Sequence, residues 1–210
     1  MPRFQEIDPL QCQFLEDGDY CAYLGEYTSG GGWVASETNR WIHNLHKRHD
    51  ASPAELEYKR KSFGYWGRAL ASALEGHDLS DTSFVPFPCS KPQGHAAYDD
   101  RMDRVLAVVK RYIPELDTRS ALVQIDVRDS QHLGPRASPD EIASCMRFDP
   151  TCLPLRRLVC VVDDVITRGA SFAAAKRILL AQRGVERVAG IMLAKAVWST
   201  PDWSELFSAD

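Results

Sequence analysis

The sequence predicts an α/β fold in which a mainly parallel sheet is flanked by helices. Three observations carry this. Residues 158–162, LVCVV, form a short, β-branched apolar run of the kind buried on both faces of a parallel sheet. Further strand-like runs at 83–86, 121–127 and 187–197 alternate with stretches of helical periodicity. Ser52-Pro53-Ala54-Glu55 and Ser138-Pro139-Asp140-Glu141 are both capping boxes with proline at the first helical position, so each starts a helix. A chain of 210 residues suits one domain, 1–210, with an elaborated edge.

In chain order, Cys12–Glu16 and Asp19–Tyr27 flank Asp17-Gly18 and read as a hairpin, because Asp-Gly between apolar runs favours a type I′ turn. Residues 28–32, TSGGG, are a flexible linker or, less in keeping with their surroundings, a phosphate-binding loop without Walker spacing. A helix begins at Ser36, with Trp41, Ile42 and Leu45 on one face. His43, His46 and His49 lie around the rest and read as a solvated basic face rather than a metal site, since no acidic or cysteine ligand stands beside them. The helix from Ser52 runs to about Gly76, with Leu56, Phe63, Trp66, Leu70 and Leu74 at core spacing.

Residues 83–93, SFVPFPCSKPQ, form a strand that Pro86 and Pro88 break into an exposed loop. The next helix turns Met102, Val105, Leu106, Val109 and Ile113 inward. Arg101 and Arg104 near its start oppose the helix dipole, so either a bound anion or local pairing with Asp99, Asp100 and Asp103 must offset them. Residues 121–127 are a second core strand, followed by a polar loop, 128–138, long enough to be a mobile lid. The helix from Pro139 extends to about Arg147. After the run at 158–162, a helix covers 172–182, a strand covers 187–197, and Trp198 and Trp203 pack as a cover.

Composition narrows the function. The net charge of −4 gives no whole-chain argument for a polyanion partner, although a local phosphate site needs none. Six scattered cysteines without a C-x-x-C pair, and a start lacking a signal-peptide core, predict a reduced cytoplasmic protein without structural zinc. No apolar run reaches the length of a membrane span.

The chemistry concentrates in Leu158 to Phe172, LVCVVDDVITRGASF. A buried strand ends in Asp163 and Asp164, and a turn through Thr167, Gly169 and Ser171 leads into a helix that Ser171 is placed to cap. Ligands of open α/β sheets sit beyond the carboxyl ends of strands, and a helix N-terminus with hydroxyls is a phosphate cradle. An acidic pocket of response-regulator type and a plain surface turn are the competing readings; the first belongs on a first strand and lacks the Gly/Ser loop.

Val161 to Ser171 resembles the ribose-phosphate motif of type I phosphoribosyltransferases. The resemblance implies that fold, with an N-terminal hairpin and helical hood at 1–50 and 196–210 around a core at about 55–195. It implies that Asp163 and Asp164 take the ribose hydroxyls of phosphoribosyl pyrophosphate (PRPP), and that Thr167, Arg168, Gly169, Ala170 and Ser171 hold its 5-phosphate. Arg168 stands where many members carry a second threonine. Ser90 and Lys91 fall where the pyrophosphate loop belongs, with an inert proline-rich turn as the alternative. Arg128, Gln131, His132 and Arg136 fall in the mobile lid, with Arg128 and His132 as catalytic candidates. Mg²⁺ is the implied cofactor, held indirectly by Asp163 and Asp164 through hydroxyls or water.

Together with YLGEY, NRWIHNLHK and the loop VRDSQHLGPRASPDE, residues 20–195 look most like the ComF-like group, without its N-terminal zinc knuckle. The activity implied is transfer of phosphoribosyl from PRPP to an unidentified base or amine with release of pyrophosphate, a reaction of nucleotide metabolism. The alternatives are a non-catalytic sensor of PRPP or nucleotides, and a role in DNA uptake or as a phage-defence effector. A nucleic-acid partner and a homodimer stay open, and a membrane partner is not expected.

Overall fold

A computed structural model describes residues 3–128 and 137–198. It is a mixed α/β structure built on one six-stranded, mostly parallel sheet flanked by helices. Two short edge segments, β1 (Gln5–Glu6) and β4 (Asp117–Thr118), bracket four strands: β2 (Cys21–Ser29), β8 (Arg187–Trp198), β7 (Leu158–Ile166) and β3 (Thr82–Pro86). The order is β1-β2-β8-β7-β3-β4, and only the β1–β2 pairing is antiparallel.

Strand β7 is central because its residues serve both faces. Val159 and Val161 enter the core beneath α5 (Ala170–Leu180), while Cys160 and Val162 enter the core beneath α2 (Pro53–Leu74) and α3 (Arg101–Tyr112). Alternation between two buried faces explains why the sequence shows an unbroken apolar run rather than a polar/apolar pattern. Helix α1 (Glu37–Leu45) lies on β2, capped by Ser36, whose Oγ accepts from the Asn39 amide. It approaches closely at Gly25, where a Cβ would lie 2.5 Å from Thr38 Oγ1.

Both capping boxes form, at Ser52/Glu55 for α2 and at Ser138/Glu141 for α4 (Pro139–Ser144). Helix α4 ends at Ser144 rather than near Arg147. The chain there turns into β6 (Met146–Phe148), which pairs antiparallel with β5 (Leu122–Gln124) as a separate small sheet under α5. The strand expected at 121–127 is therefore not a core strand: the main sheet takes Asp117–Thr118 instead. Asp117 fixes that edge, accepting from Ser83 Oγ at 2.6 Å and pairing with Arg119 at 2.8 Å.

The expected hairpin around Asp17-Gly18 is also replaced. A turn does form there, but Pro9–Gln11 is a short 3₁₀ helix and β2 takes Gln5–Glu6 as its antiparallel partner. Along its whole length β2 pairs in parallel with β8, so residues 21–29, expected in a hood, are a strand of the main sheet. Trp198 ends β8 with its ring largely exposed, and Trp203 lies outside the described residues. No helix among the described residues is long and apolar enough to cross a membrane.

Candidate functional site

The carboxyl ends of β7, β8, β2 and β3 open on one cleft of about 440 Å³. Asp163 and Asp164 stand on its floor. Phe87 N donates to Val162 O at 2.8 Å, which keeps the segment after β3 alongside the motif. Strand β7 continues through the acidic pair to Ile166, so both carboxylates project from strand backbone rather than from a turn.

The two carboxylates have different partners. Asp163 Oδ1 accepts from the Asp164 amide at 2.8 Å, and Asp164 Oδ1 accepts from the Val165 amide at 2.7 Å. Asp164 Oδ2 faces His46 Nε2 at 2.8 Å and Arg101 Nε at 3.2 Å, with the Asp164 side chain 16% exposed. Burial, then the charge of Asp164, pushes Asp163 up to about 7, against the Asp164 amide and the guanidinium groups of Arg101 and Arg128. Burial also pushes Asp164 up, but Arg101 and His46 outweigh it and hold that carboxyl well below the usual range.

The loop from Thr167 to Ser171 is shaped by the N-terminal segment. Phe14 N donates to Arg168 O at 2.9 Å and Cys12 Sγ to Thr167 O at 3.6 Å, so both carbonyls are tied away from the cleft. Gly169 occupies the N-cap of α5 at φ 84°, with no side-chain cap. The expected cap, Ser171, is instead inside the first turn and lines the cleft with Thr167. Amides of a first helical turn have no intrahelical acceptor, and the helix dipole places partial positive charge there, so this end suits an anion. A small hollow of about 30 Å³ lies among Asp163, residues 165–172 and Met192. Arg168 is among its lining residues. Its guanidinium donates to Gln13 Oε1 at 3.1 Å and Ala137 O at 3.4 Å, and sits 5.1 Å from the Phe14 ring centroid.

The opposite wall joins three predicted residues. Ser90 lines the cleft and its carbonyl accepts from Arg128 N at 2.9 Å, while Lys91 Nζ donates to Arg128 O at 3.3 Å. One of the three N–H donors of the Lys91 ammonium thus goes to backbone next to the cleft. Arg128 places its guanidinium 5.6 Å from the Phe87 ring centroid, and its buried Nε has no hydrogen-bond partner among the described residues. Burial lowers the Arg128 pKa against the pull of Asp163. His132, Gln131 and Arg136 lie outside the described residues, as does most of the expected lid. The 28–32 loop contributes Ser29 and Gly30 to the cleft rim.

Two contributors were not legible as such. His46 belongs to the cleft and not to a solvated basic face, and Arg101 reaches Asp164 as well as its neighbour Asp99, at 3.6 Å. Lys59, 8% exposed, extends the chain by bonding Asp99 Oδ2 and Lys47 O, each at 2.6 Å. No protein-family model and no curated protein matches this chain. Its chemistry therefore rests on the cleft itself.

Proposed function

We propose that the protein binds PRPP in this cleft and transfers its phosphoribosyl group to a nitrogen nucleophile. The observation that carries the proposal is the convergence of four features on one cavity: an acidic pair at the end of a central strand, the side chains of Thr167 and Ser171, the uncapped N-terminus of α5, and Arg128. The α5 amides with Thr167 and Ser171 would receive the 5-phosphate, Asp163 a ribose hydroxyl, and Arg128 with Ser90 the pyrophosphate.

As the nitrogen lone pair bonds to C1 of the sugar through an oxocarbenium-like state, the C1–O bond breaks, its electron pair leaves with pyrophosphate, and the proton lost from the nitrogen passes to solvent. The chain holds both ends of the donor and excludes water between them. Among the described residues no three metal-ligating side chains converge. Mg²⁺ is bound through one or two carboxylates plus substrate phosphates, and Asp163 and Asp164 would be its partners here through hydroxyls or water. Such an ion would neutralise charge on the departing pyrophosphate.

Incubation with PRPP, Mg²⁺ and a mixture of nucleobases and amines should release pyrophosphate and yield a phosphoribosyl product detectable by mass. A protein that neither binds nor consumes PRPP refutes the proposal. The pre-engagement of Asp164 by His46 and Arg101 favours a second reading, a non-catalytic sensor of the same ligand. Tight PRPP binding without pyrophosphate release would select it.

A further inference from the structure

We infer that Cys12 and Phe14 are positioning residues for the 5-phosphate: they hold the carbonyls of Thr167 and Arg168 outward, so that the amides of the same peptide units face the phosphate. The inference rests on the phosphate reading of this loop proposed above, and adds the residues that set its geometry. A trans peptide unit is a rigid plane whose N–H points opposite to its C=O. Thr167 O accepts from Cys12 Sγ at 3.6 Å, and Arg168 O accepts from Phe14 N at 2.9 Å. Both carbonyls therefore face segment 12–15, which lines neither the cleft nor the small hollow of the loop. The N–H groups of Arg168 and Gly169 point the opposite way, directly ahead of the first-turn amides of α5. Successive amides turned to one side make an anion-binding concavity. A released carbonyl could rotate inward and set its negative end against the phosphate.

The segment is itself fixed at both ends. Cys12 N donates to Pro9 O at 3.0 Å, and Leu15 N donates to Cys12 O at 3.3 Å, closing a turn that sets Leu15 against Gly169. Just beyond it, Lys176 of α5 pairs with Glu16 at 2.6 Å and with Asp19 at 2.7 Å. The segment is thus fastened to the same helix whose N-terminal loop it shapes. Cys12 is buried, and burial pushes its thiol up against the pull of Lys195, so the sulfur keeps the proton that it donates. A cradle built this way is preorganised by groups that never touch the ligand.

The test uses calorimetric titration of the full chain with ribose 5-phosphate and with pyrophosphate. Cys12→Val, which removes the donor at similar volume, should weaken ribose 5-phosphate by about threefold, the weight of one weak neutral hydrogen bond. Cys12→Ser, which keeps a donor, should recover most of that loss. Phe14→Pro, which removes the N–H bonded to Arg168 O, should weaken ribose 5-phosphate by about tenfold. Pyrophosphate, proposed for the Arg128 end of the cleft, should bind all three variants as it binds the wild type.

Three results overturn the inference. Wild-type ribose 5-phosphate affinity in both Cys12→Val and Phe14→Pro would show that the loop keeps its shape without the segment. Equal losses for both ligands, with a lower melting temperature and no recovery in Cys12→Ser, would make the segment a general support of the fold. A wild-type chain that binds neither ligand would remove the proposed function, and this role with it. If the wild type binds ribose 5-phosphate without consuming PRPP, the expected losses in the variants would support the positioning role and refute the transfer.

Discussion

Asp163 and Asp164 occupy successive positions at the end of β7 and are perturbed in opposite directions, the first up to about 7 and the second well below the carboxylate range. Alternation along the strand sends them to different neighbours. Asp164 meets Arg101 and His46, whereas Asp163 is left with burial and with the charge of Asp164. Two carboxylates side by side thus acquire separate tasks from their surroundings.

A pH dependence follows for Asp163. Its ordinary value is 3.8, so between there and about 7 the folded chain holds a proton that the unfolded chain has lost. The stabilisation is complete below the ordinary value and is lost as the pH rises through about 7. Asp164 has the opposite sign, with stability present above its ordinary value and lost in acid. The wild-type melting temperature should therefore fall relative to that of Asp163→Asn as the pH is raised from 5 to 8. PRPP affinity should rise over the same interval as Asp163 becomes an ionised acceptor. Parallel melting profiles for the two proteins would show that Asp163 is not the group responsible.

Gly169 serves two neighbours. At φ 84° a side chain is strained, and a Cβ would lie 2.9 Å from Leu15 Cδ2 and 3.1 Å from Leu15 Cγ. Gly169→Ala should cost about 1 kcal/mol from the backbone alone, with a further loss from displacing Leu15. Adding Leu15→Ala should recover only the steric part. Thermal melts of the single and double variants separate the two, and a double variant no better than Gly169→Ala would mean that Leu15 yields freely.

Arg128 is the residue proposed for the pyrophosphate end of the cleft. Its buried Nε has no hydrogen-bond partner among the described residues, and its backbone amide is bonded to the Ser90 carbonyl at the cleft wall, a place that suits an anion. Arg128→Gln should weaken pyrophosphate and PRPP by about tenfold or more, the loss of one charge-assisted hydrogen bond of ~1.5–3 kcal/mol. Ribose 5-phosphate, which lacks the diphosphate, should bind as before. Equal weakening of all three ligands in competition titrations would show that Arg128 supports the cleft generally.

The parts of this fold that were legible in the sequence are those with local signals. Capping boxes placed the starts of α2 and α4, and the run from Leu158 placed β7, because each depends on residues within a turn or a strand of one another. Strand pairing does not. Asp17-Gly18 signals a turn correctly, yet β2 pairs with β8, more than a hundred and sixty positions away along the chain, where burial against α1 and α5 rewards it. The run at 121–127 failed for a similar reason, since Asp117, held by Ser83 and Arg119, takes the sheet edge first. At the site, the acidic pair and the Thr/Gly/Ser loop could be read. His46 could not, because its partner lies 118 residues away and nothing beside it in sequence marks the contact.

Lys59 links that hidden contact to stability. Its ammonium bonds Asp99 Oδ2 and Lys47 O, Asp99 pairs with Arg101, Arg101 with Asp164, and Asp164 with His46, which adjoins Lys47 and closes a ring. Removing one member of a buried ion pair typically costs ~3–5 kcal/mol. Asp99 retains Arg101, so Lys59→Met should fall at the low end, about 3 kcal/mol in urea denaturation. The carbonyl of Lys47 would lose its anchor and His46 its fixed position, so ribose 5-phosphate should also bind more weakly to the folded variant. Inorganic phosphate, for which the N-terminus of α5 is the proposed site, should be unaffected. If Lys59→Met is destabilised yet binds ribose 5-phosphate normally, the ring secures the α1–α2 junction alone and the imidazole is positioned by Asp164 without help.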